Sequence, residues 1–127
     1  MTQWMGRSVR KHTGSKYKKM SKKHKHQRGR DFVPATIGVT KVAEKRMRGG
    51  GSKLVVYKTD SVNVMVKGKA QKAKIASVSE NVADPHYVRR NIITKGAVVE
   101  TNIGKVKITS RPGQDGVLNG ILVGKKQ

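Results

Sequence analysis

The stretch Ser61-Val62-Asn63-Val64-Met65-Val66 decides the fold class of this 127-residue chain. Successive side chains of a β-strand point to opposite faces, so the three valines would share one face and Asn63 and Met65 the other. This period of two predicts a half-buried strand. Lys67-Gly68-Lys69 follows as a turn, and Ala73 to Val78 returns as a second strand, which completes a hairpin with a basic tip.

The same alternation continues on both sides of this hairpin. It predicts a strand upstream and four apolar or alternating segments downstream: 54–58, 92–94, 97–101, 105–109 and 117–123. Residues 39–48 contain good helix formers but little apolar periodicity, and we interpret them as an irregular basic strand. Glycine-containing turns separate these segments, and no segment between them has a convincing helical period. The sequence therefore predicts a mainly β protein, either a small antiparallel β-barrel or a strongly curled sheet.

Two connecting segments are expected to lack regular structure. Glu80 to Arg90 is interpreted as a loop, and Ser110 to Gly116 is too long for a tight hairpin. Within the second segment, Pro112-Gly113 and Asp115-Gly116 are each typical of a turn, and both glycines are candidates for positive φ angles. Asp115 is expected to cap or pair locally, because a carboxylate that faced phosphate would be repelled.

The chain is strongly basic, with 29 Lys and Arg against 7 Asp and Glu and a formal charge of +22. Self-repulsion of this size costs stability until a polyanion neutralises it, which indicates a nucleic acid partner. A membrane is disfavoured, because no apolar run approaches the roughly 20 residues of a spanning helix and no secretory signal is recognisable. The absence of cysteine excludes a disulfide framework and a thiolate zinc site. A soluble intracellular protein is expected.

Residues 1–30 form a separate basic segment with eleven Lys or Arg and no acid. The segment has too few apolar side chains to order itself, so we expect a tail that is disordered alone and extended or irregular along a nucleic acid. A folded domain over residues 31–127 would follow it. The expected RNA-binding cations of the tail are Arg7, Arg10, Lys11, Lys16, Lys18, Lys19, Lys22, Lys23, Lys25, Arg28 and Arg30. A solvated arm without specific contacts is the alternative.

Aromatic and imidazole side chains of the tail carry further hypotheses. Trp4 and Tyr17 offer flat faces on which a base could stack, although Trp4 could equally anchor the tail to the folded domain. His12, His24 and His26 suggest a metal, but their spacing fits no ordinary zinc pattern and the surrounding lysines repel a cation. They are expected to form hydrogen bonds near phosphates instead, so neither a metal nor a cofactor is predicted.

In the folded domain, a triple glycine flanked by cations predicts one phosphate-binding loop. The glycines of Arg46-Met47-Arg48-Gly49-Gly50-Gly51-Ser52-Lys53 would let backbone amides reach phosphate oxygens, with Arg46, Arg48 and Lys53 as the cations. The spacing lacks the lysine of a Walker motif, so a nucleotide site is disfavoured, and a flexible hinge is the alternative. Lys95 and Arg111 are the RNA-binding candidates in later turns.

A second candidate loop is Asp84-Pro85-His86-Tyr87-Val88-Arg89-Arg90-Asn91. If its backbone is extended, Arg89 and Arg90 point to opposite faces, so at least one can reach phosphate or a base edge. Tyr87 could stack on an unpaired base, with His86 beside it as a further RNA contact. In the alternative interpretation, Tyr87 is a core or rim aromatic residue and both arginines are only solvated.

Two motifs give the chain a resemblance to a known family. Asn91-Ile92-Ile93-Thr94-Lys95-Gly96 and Thr109-Ser110-Arg111-Pro112-Gly113-Gln114-Asp115-Gly116 closely resemble small-subunit ribosomal protein eight of archaea and eukaryotes, a family unrelated to the bacterial protein of that number. Shorter matches extend along the chain at 4–8, 11–14, 48–50 and 81–90. The length without a large insertion resembles the archaeal form, while Ser15 and Gln27-Arg28-Gly29-Arg30 depart from the family pattern.

The resemblance implies a constituent of the small ribosomal subunit that binds ribosomal RNA through a β-barrel-like core and an extended basic N-terminal region. Its expected location is the ribosome in the cytoplasm. Its expected partners are small-subunit ribosomal RNA and other small-subunit proteins, among which it would be a monomer. No membrane and no small-molecule substrate would be involved.

Two other functions compete with this one. Net charge alone does not separate RNA from DNA, so an architectural DNA protein is one alternative. An enzyme would need His86 as a base near Asp84, or Ser110 as a nucleophile, and the few acids and the absence of a recognisable nucleophile motif disfavour it. We therefore predict a structural RNA-binding protein without catalytic residues, which supports translation.

Overall fold

The computed structural model describes the backbone of residues 3–125 and the side-chain environments of residues 3–123. Its contacts divide the chain into two compact units, Met1–Phe32 and Val33–Gln127. The first unit carries eleven Lys or Arg and one acid, and the second carries eighteen Lys or Arg and six acids. Both units are therefore strongly cationic by themselves.

Short strands dominate the second unit. Among the described residues there are nine strands, in chain order β1 Ala35–Ile37, β2 Lys41–Arg46, β3 Ser52–Thr59, β4 Ser61–Val66, β5 Lys69–Glu80, β6 Ile92–Ile93, β7 Val98–Thr101, β8 Gly104–Ile108 and β9 Asn119–Lys125. Two one-turn helices, α1 His86–Arg89 and α2 Pro112–Asp115, lie between them. Short 3-10 turns occur at Lys25–Gln27 and Arg48–Gly50. The mainly β prediction is confirmed, including the basic strand before the triple glycine, which is β2.

Five strands close a barrel in the order β4-β5-β7-β8-β9. Four of the neighbouring pairs are antiparallel, as the sequence predicts. The pair that closes the ring is parallel, with Asn63 of β4 opposite Asn119 of β9. Because a parallel pair needs a long connection between its strands, no local turn signal in the sequence reveals it.

The remaining strands form a second, four-stranded sheet in the order β2-β3-β1-β6. β2 and β3 are an antiparallel hairpin around the triple glycine. β1 joins β3 in parallel, and β6 joins β1 antiparallel. The sequence predicted a barrel or a curled sheet as alternatives, and the protein has both a barrel and a separate sheet.

The barrel core consists almost wholly of branched aliphatic side chains. Its buried members include Val62, Val64, Ile75, Val78, Ile93, Val99, Val106 and Ile108. The alternation predicted for β4 is confirmed, because Val62 and Val64 are 1% and 0% exposed while Asn63 and Met65 face solvent. Burial of each such side chain contributes roughly 1.5–3 kcal/mol, and branched chains pack well on a pleated surface.

One glycine of β9 shows how tightly the barrel closes. A Cβ on Gly120 would collide with Val106 Cγ1 and with the carbonyl oxygen of Lys107, both on the neighbouring strand β8. Since packed interiors leave no room for an added methyl group, glycine lets β9 lie this close to β8. Asn119 and Ile121, on either side of it, are exposed on the outside of the barrel.

Residues 80–90 are not a plain loop, so that prediction was wrong. The one-turn helix α1 begins here, because Asp84 binds the first backbone donors of the turn. Its Oδ1 accepts a hydrogen bond from the N–H of His86 at 2.8 Å, and its carbonyl oxygen accepts one from the N–H of Tyr87 at 3.0 Å. Pro85 has a helical φ of −58°, which its ring imposes. A helix of four residues is too short to produce a periodic signal in the sequence.

Residues 110–116 contain helix α2 rather than two turns. Pro112 takes a position in the first helical turn, where its missing N–H leaves no hydrogen bond unmade. Gly113 is inside this helix and is not at positive φ, so that expectation was wrong. Gly116 has the expected positive φ, 74°, as the residue that ends the helix. Asp115 caps locally, as predicted, because its Oδ2 accepts a hydrogen bond from the N–H of Arg111 at 2.7 Å.

Candidate nucleic-acid interface

A side-chain hydrogen bond joins the β2–β3 hairpin to the loop that contains α2. Lys53 Nζ donates to Gln114 Oε1 at 2.6 Å, which joins the start of β3 to α2 across 61 residues of sequence. Arg111 immediately precedes α2, and Arg46 and Arg48 flank the start of the hairpin turn. We call Arg46, Arg48, Lys53 and Arg111 the hairpin cluster. It combines two of the loops that the sequence analysis selected.

The turn between β2 and β3 has an open backbone. The N–H of Met47 donates to the carbonyl oxygen of Gly51 at 2.7 Å and closes the turn. Gly49 and Gly50 have φ angles of 81° and 82°, and a Cβ at either position would meet no atom within 4 Å. A positive φ favours glycine here, and the empty space around the turn leaves its backbone accessible to a phosphate oxygen.

Helix α1 presents a second basic group. His86, Arg89 and Arg90 are exposed, Tyr87 is half-buried, and Val88 packs against the barrel core. Because the backbone here is a helical turn, neighbouring side chains lie about 100° apart around it, so the placement of the two arginines on opposite faces was wrong. Both arginines nevertheless reach solvent. We call His86, Tyr87, Arg89 and Arg90 the α1 cluster.

The two clusters lie in different parts of the second sheet. Lys58 of β3 is level with Thr36 of β1, which is level with Ile92 of β6, just after α1. Lys53 precedes Lys58 by five residues, about 17 Å at the rise of a strand, and two strand spacings add about 10 Å sideways. Lys53 of the hairpin cluster is therefore about 20 Å from Ile92, the residue at which β6 begins after α1.

Lys95 lies at the turn between β6 and β7. The N–H of Gly96 donates to the carbonyl oxygen of Ile108 at 2.8 Å, so the turn sits beside the end of β8. That strand end leads within three residues to Arg111. Lys95 is exposed and adds a cation to the region from which Arg111 extends.

In the N-terminal unit, cations lie over the two rings that were predicted to stack on bases. The guanidinium carbon of Arg7 is 3.8 Å from the centre of the Tyr17 ring, and Lys11 Nζ is 5.5 Å from it. Lys23 Nζ is 5.2 Å from the centre of the Trp4 ring. Such pairs are attractive because the ring face is electronegative. Both rings are therefore already engaged by cations of the same unit.

The backbone of this unit is irregular, with one short 3-10 turn, Lys25–Gln27, among its described residues. Isolated bridges pair Trp4 with Arg28 and Arg10 with Lys16. The N–H of Gly29 donates to the carbonyl oxygen of Gln3, the residue before Trp4, at 2.7 Å. The other tail cations selected from the sequence are also exposed: Lys18, Lys19, Lys22, Lys25 and Arg30. The unit therefore presents its positive charge along an irregular strand of backbone.

The residues of the enzyme alternative are engaged in the fold. Ser110 is 8% exposed, and its Oγ accepts a hydrogen bond from the N–H of Asn119 at 2.8 Å and donates to the carbonyl oxygen of Val117 at 3.0 Å. Asp84 uses its carboxylate to accept from the backbone of His86. Both groups hold turns together rather than face a substrate.

The geometry also bears on metal binding and on membrane insertion. His24 and His26 stack with ring centres 5.4 Å apart and planes inclined by 10°. Within residues 3–125, no group of three or more His, Cys, Asp or Glu side chains is close enough to bind a metal ion. Among the helices of the described residues, none has the length and apolar character needed to cross a membrane.

Sequence reasoning missed a third group of lysines, which lies on the outside of the barrel. Its members occupy the β4–β5 turn and the strands β5 and β8: Lys67, Lys69, Lys72, Lys74, Lys105 and Lys107. The alternation in β8 already placed Lys105 and Lys107 opposite Val106 and Ile108, and that placement is confirmed. The lysines were missed as a site because single cations on strand faces form no motif. The register spreads them over the outside of the barrel, with Lys72 level with Asn63 and Lys107 level with Ile121.

The chain is similar to proteins of one family. The family model of ribosomal protein S8e matches residues 4–123. The small ribosomal subunit protein eS8 of Methanocorpusculum labreanum is 48% identical over 122 residues, which cover 94% of this chain and 98% of that protein. The eS8 proteins of Methanococcus aeolicus, 46% identical over 94% of this chain and 96% of that protein, and of Halobacterium salinarum, 45% identical over 95% and 98%, are similar to the same extent. The similarity spans both units.

Proposed function

This chain belongs to the ribosomal protein S8e family, and on that premise we propose that it binds and stabilises the ribosomal RNA of the small subunit. Membership of the family gives the protein a structural, non-enzymatic role in the small ribosomal subunit. The finer proposal is that the N-terminal tail, the hairpin cluster and the α1 cluster hold the RNA, and that translation depends on this contact.

The hairpin cluster is the single observation that carries the proposal. The Lys53–Gln114 hydrogen bond joins two loops across 61 residues of sequence, and Arg46, Arg48 and Lys53 lie on both sides of an open glycine turn. The carboxylate in the second loop, that of Asp115, is bound to the N–H of Arg111. The planar fork of an arginine donates two hydrogen bonds to two oxygens of one phosphate group, and accessible backbone amides add further donors.

Charge neutralisation would supply most of the affinity. Eleven Lys or Arg against one acid leave the N-terminal unit with a charge of +10, and eighteen against six leave the second unit with +12. Each phosphate that such a cation neutralises releases a condensed counterion, which favours binding at low salt. The tail would order as it binds, because its own composition does not support a packed core.

The α1 cluster would supply contacts to bases. Ribosomal RNA has irregular loops and joints whose unpaired bases can stack on an aromatic ring or an arginine plane. Tyr87 is half-buried, and the exposed Arg89 and Arg90 follow it within three residues. Such a contact would read the shape of an RNA joint rather than a long sequence.

The proposed setting is the ribosome in the cytoplasm, where the protein would be a monomer among other small-subunit proteins. An architectural DNA protein is the alternative that charge alone leaves open. Competition between duplex DNA and structured small-subunit RNA at one fixed salt concentration separates the two. Preferential binding of the RNA supports the proposal, and equal or stronger binding of the duplex DNA contradicts it.

The direct test is crosslinking in cells, with sequencing of the attached nucleic acid and peptide mapping of the attachment sites. We expect small-subunit ribosomal RNA, attached through the tail, the hairpin cluster and the α1 cluster. Recovery of chromosomal DNA, or of scattered messages without ribosomal enrichment, would overturn the proposal. A control chain with Lys41→Ala and Lys58→Ala, which changes two exposed lysines outside both clusters, should give the wild-type pattern.

A further inference from the structure

The outside of the barrel carries a strip of exposed side chains that the proposed function does not use. The strip runs along the parallel neighbours β4 and β9 and consists of Asn63, Met65, Asn119 and Ile121, which we call the outer strip. Met65 and Ile121 are 53% and 56% exposed, and Val123, farther along β9, is 63% exposed. Contiguous exposed aliphatic side chains usually mark a surface that contacts a partner.

The strand register arranges the outer strip in two rows. Asn63 and Asn119 are level, and Asn63 Nδ2 donates to Asn119 Oδ1 at 3.1 Å. Met65 and Ile121 form the next row, about 7 Å farther along the strands. A side-chain amide has two donor hydrogens and an acceptor oxygen with two lone pairs, so the shared bond leaves most of the capacity of this pair for a ligand.

Lysines border the outer strip on both sides. Lys72 of β5 is level with Asn63, and Lys107 of β8 is level with Ile121. Lys72 therefore lies one strand beyond β4 and Lys107 one strand beyond β9. The strands β4, β8 and β9 contain no acid. Glu100, on the far side of β8, accepts a hydrogen bond from Ser77 Oγ at 3.0 Å.

We propose that the outer strip binds an unpaired segment of RNA. Its bases lie on Met65 and Ile121 and receive hydrogen bonds from the Asn63–Asn119 pair, while Lys72 and Lys107 hold phosphates on either side. Amide groups have the donors and acceptors that base edges require. The lysines on both sides of the strip match RNA, which carries a negative charge at every nucleotide. An acidic protein segment is the competing occupant, and the photocrosslinking experiment below distinguishes it from RNA.

This inference rests on the proposed function, because it takes RNA as the partner. It adds a site on the barrel, whereas the hairpin and α1 clusters belong to the second sheet and its neighbouring loops. Single-stranded segments bound on small β-barrels occupy about 4–16 nucleotides. The probe for the test is therefore an unstructured RNA of mixed sequence, about 12 nucleotides long, with small-subunit ribosomal RNA as a second ligand.

The first experiment compares two neutral double variants of the full chain. Met65→Ser with Ile121→Ser removes the apolar rows without changing charge, and we expect affinity for the short RNA to fall about tenfold with an unchanged salt slope. Val39→Ser with Val82→Ser is the matched control, because these valines are 87% and 90% exposed outside the strip. Equal affinities of the two variants would overturn the outer-strip proposal.

The second experiment alters the bordering lysines. Lys72→Ala with Lys107→Ala should reduce the slope of log affinity against log salt for the short RNA by about 1.4, since each phosphate contact to a single strand contributes about 0.7. Lys41→Ala with Lys58→Ala removes the same charge from two exposed positions of the second sheet and should leave the slope unchanged. Identical slopes of the two variants would count against the site.

A photoreactive residue in place of Ile121, in chains assembled into small subunits, identifies the occupant directly. Attachment to unpaired nucleotides of ribosomal RNA supports the inference, and attachment to a protein or only to base-paired RNA overturns it. Different outcomes contradict the proposed function and the outer-strip proposal. If the wild-type chain does not bind small-subunit RNA, the proposed function is wrong. If it binds and the serine variant binds equally well, only the outer strip is wrong.

Discussion

Gly116, which ends α2, lies against Leu54 of β3 so closely that an added Cβ would stand 2.5 Å from Leu54 Cβ. Leu54 is 51% exposed, so the contact is not part of the core. It lies one residue from Lys53, whose ammonium group binds Gln114. These two contacts fix α2, which Arg111 immediately precedes, against β3.

Replacing Gly116 with alanine should destabilise the folded unit by about 3 kcal/mol, because a positive φ and a collision with Leu54 Cβ act together. Leu54 Cβ is attached to the backbone and cannot rotate away. Gly68→Ala is the matched control: its φ is also positive, 80°, but nothing lies within 4 Å, so about 1 kcal/mol is expected. Urea unfolding measures both, and equal losses would show that the Leu54 contact is not restrictive.

Replacing Gly120 with alanine should destabilise the barrel by about 1–3 kcal/mol, because the new methyl group would push β9 away from Val106 and the Lys107 carbonyl. Gly113→Ala provides the comparison, since it lies in a helical turn with open space around it. Alanine there should be neutral or stabilise by up to about 1 kcal/mol. A Gly120→Ala chain with the wild-type unfolding midpoint would contradict the close approach of β9.

Asn81 connects the end of β5 to the strand after α1. It is 8% exposed, its Nδ2 donates to the carbonyl oxygen of Ile92 at 3.1 Å, and its Oδ1 accepts from Thr94 Oγ1 at 2.9 Å. Asn81→Ala leaves these groups without partners and should cost about 2–3 kcal/mol of folding free energy. The adjacent Val82→Ala, at a site 90% exposed, should change stability by less than about 0.5 kcal/mol. Thermal unfolding compares them, and similar midpoints would argue against a structural role for the amide.

The double variant Lys53→Ala with Arg111→Ala should weaken binding of small-subunit RNA by about 100-fold at low salt. Each substitution would remove one charge-assisted hydrogen bond to phosphate, which contributes about 1.5 kcal/mol to the binding free energy. Lys41→Ala with Lys58→Ala removes the same charge from positions that pair across β2 and β3, and it should weaken binding by only a few-fold. Filter binding at one fixed salt concentration gives the comparison. Equal losses would mean that only total charge matters, not the hairpin cluster.

The salt dependence of the wild-type chain tests how extensive the contact is. If tail and clusters neutralise about ten phosphates, log affinity should fall against log salt with a slope of about −7 to −9. The slope is measured by titrating small-subunit RNA at several salt concentrations. A value near −2 would contradict an extended tail that lies along the RNA.

The strands and their buried faces were predictable because alternation is a local property. The valines of β4 and the lysines of β8 were placed correctly from the sequence, since side chains two residues apart share a face. Helices α1 and α2 were not predicted, because one turn held by Asp84 or Asp115 needs only a capping residue and leaves no period. The parallel closure was also missed, since Asn63 and Asn119 are joined by no turn that the sequence could signal.

The candidate site was predictable as a set of residues but not as an arrangement. Arg46, Arg48, Lys53 and Arg111 were each selected from neighbouring glycines, prolines and charges, yet the contact of Lys53 with Gln114 depends on tertiary packing. Tyr17 was selected as a ring on which a base could stack. The position of the Arg7 guanidinium over this ring depends on the conformation of the tail, which the composition alone does not predict. Whether these residues bind RNA stays a prediction.

The parallel pairing of β4 with β9 has a consequence for synthesis. Asn63 is synthesised 56 residues before Asn119. At a synthesis rate of about 5–20 residues per second, β4 therefore lacks its partner strand β9 for about 3–11 s. Until then one side of β4 has no neighbour, and an unpaired strand edge invites pairing with another chain. We expect nascent chains that end before β9 to be prone to aggregation and proteolysis. Addition of β9 removes the unpaired edge and would protect the newly made protein until it is assembled.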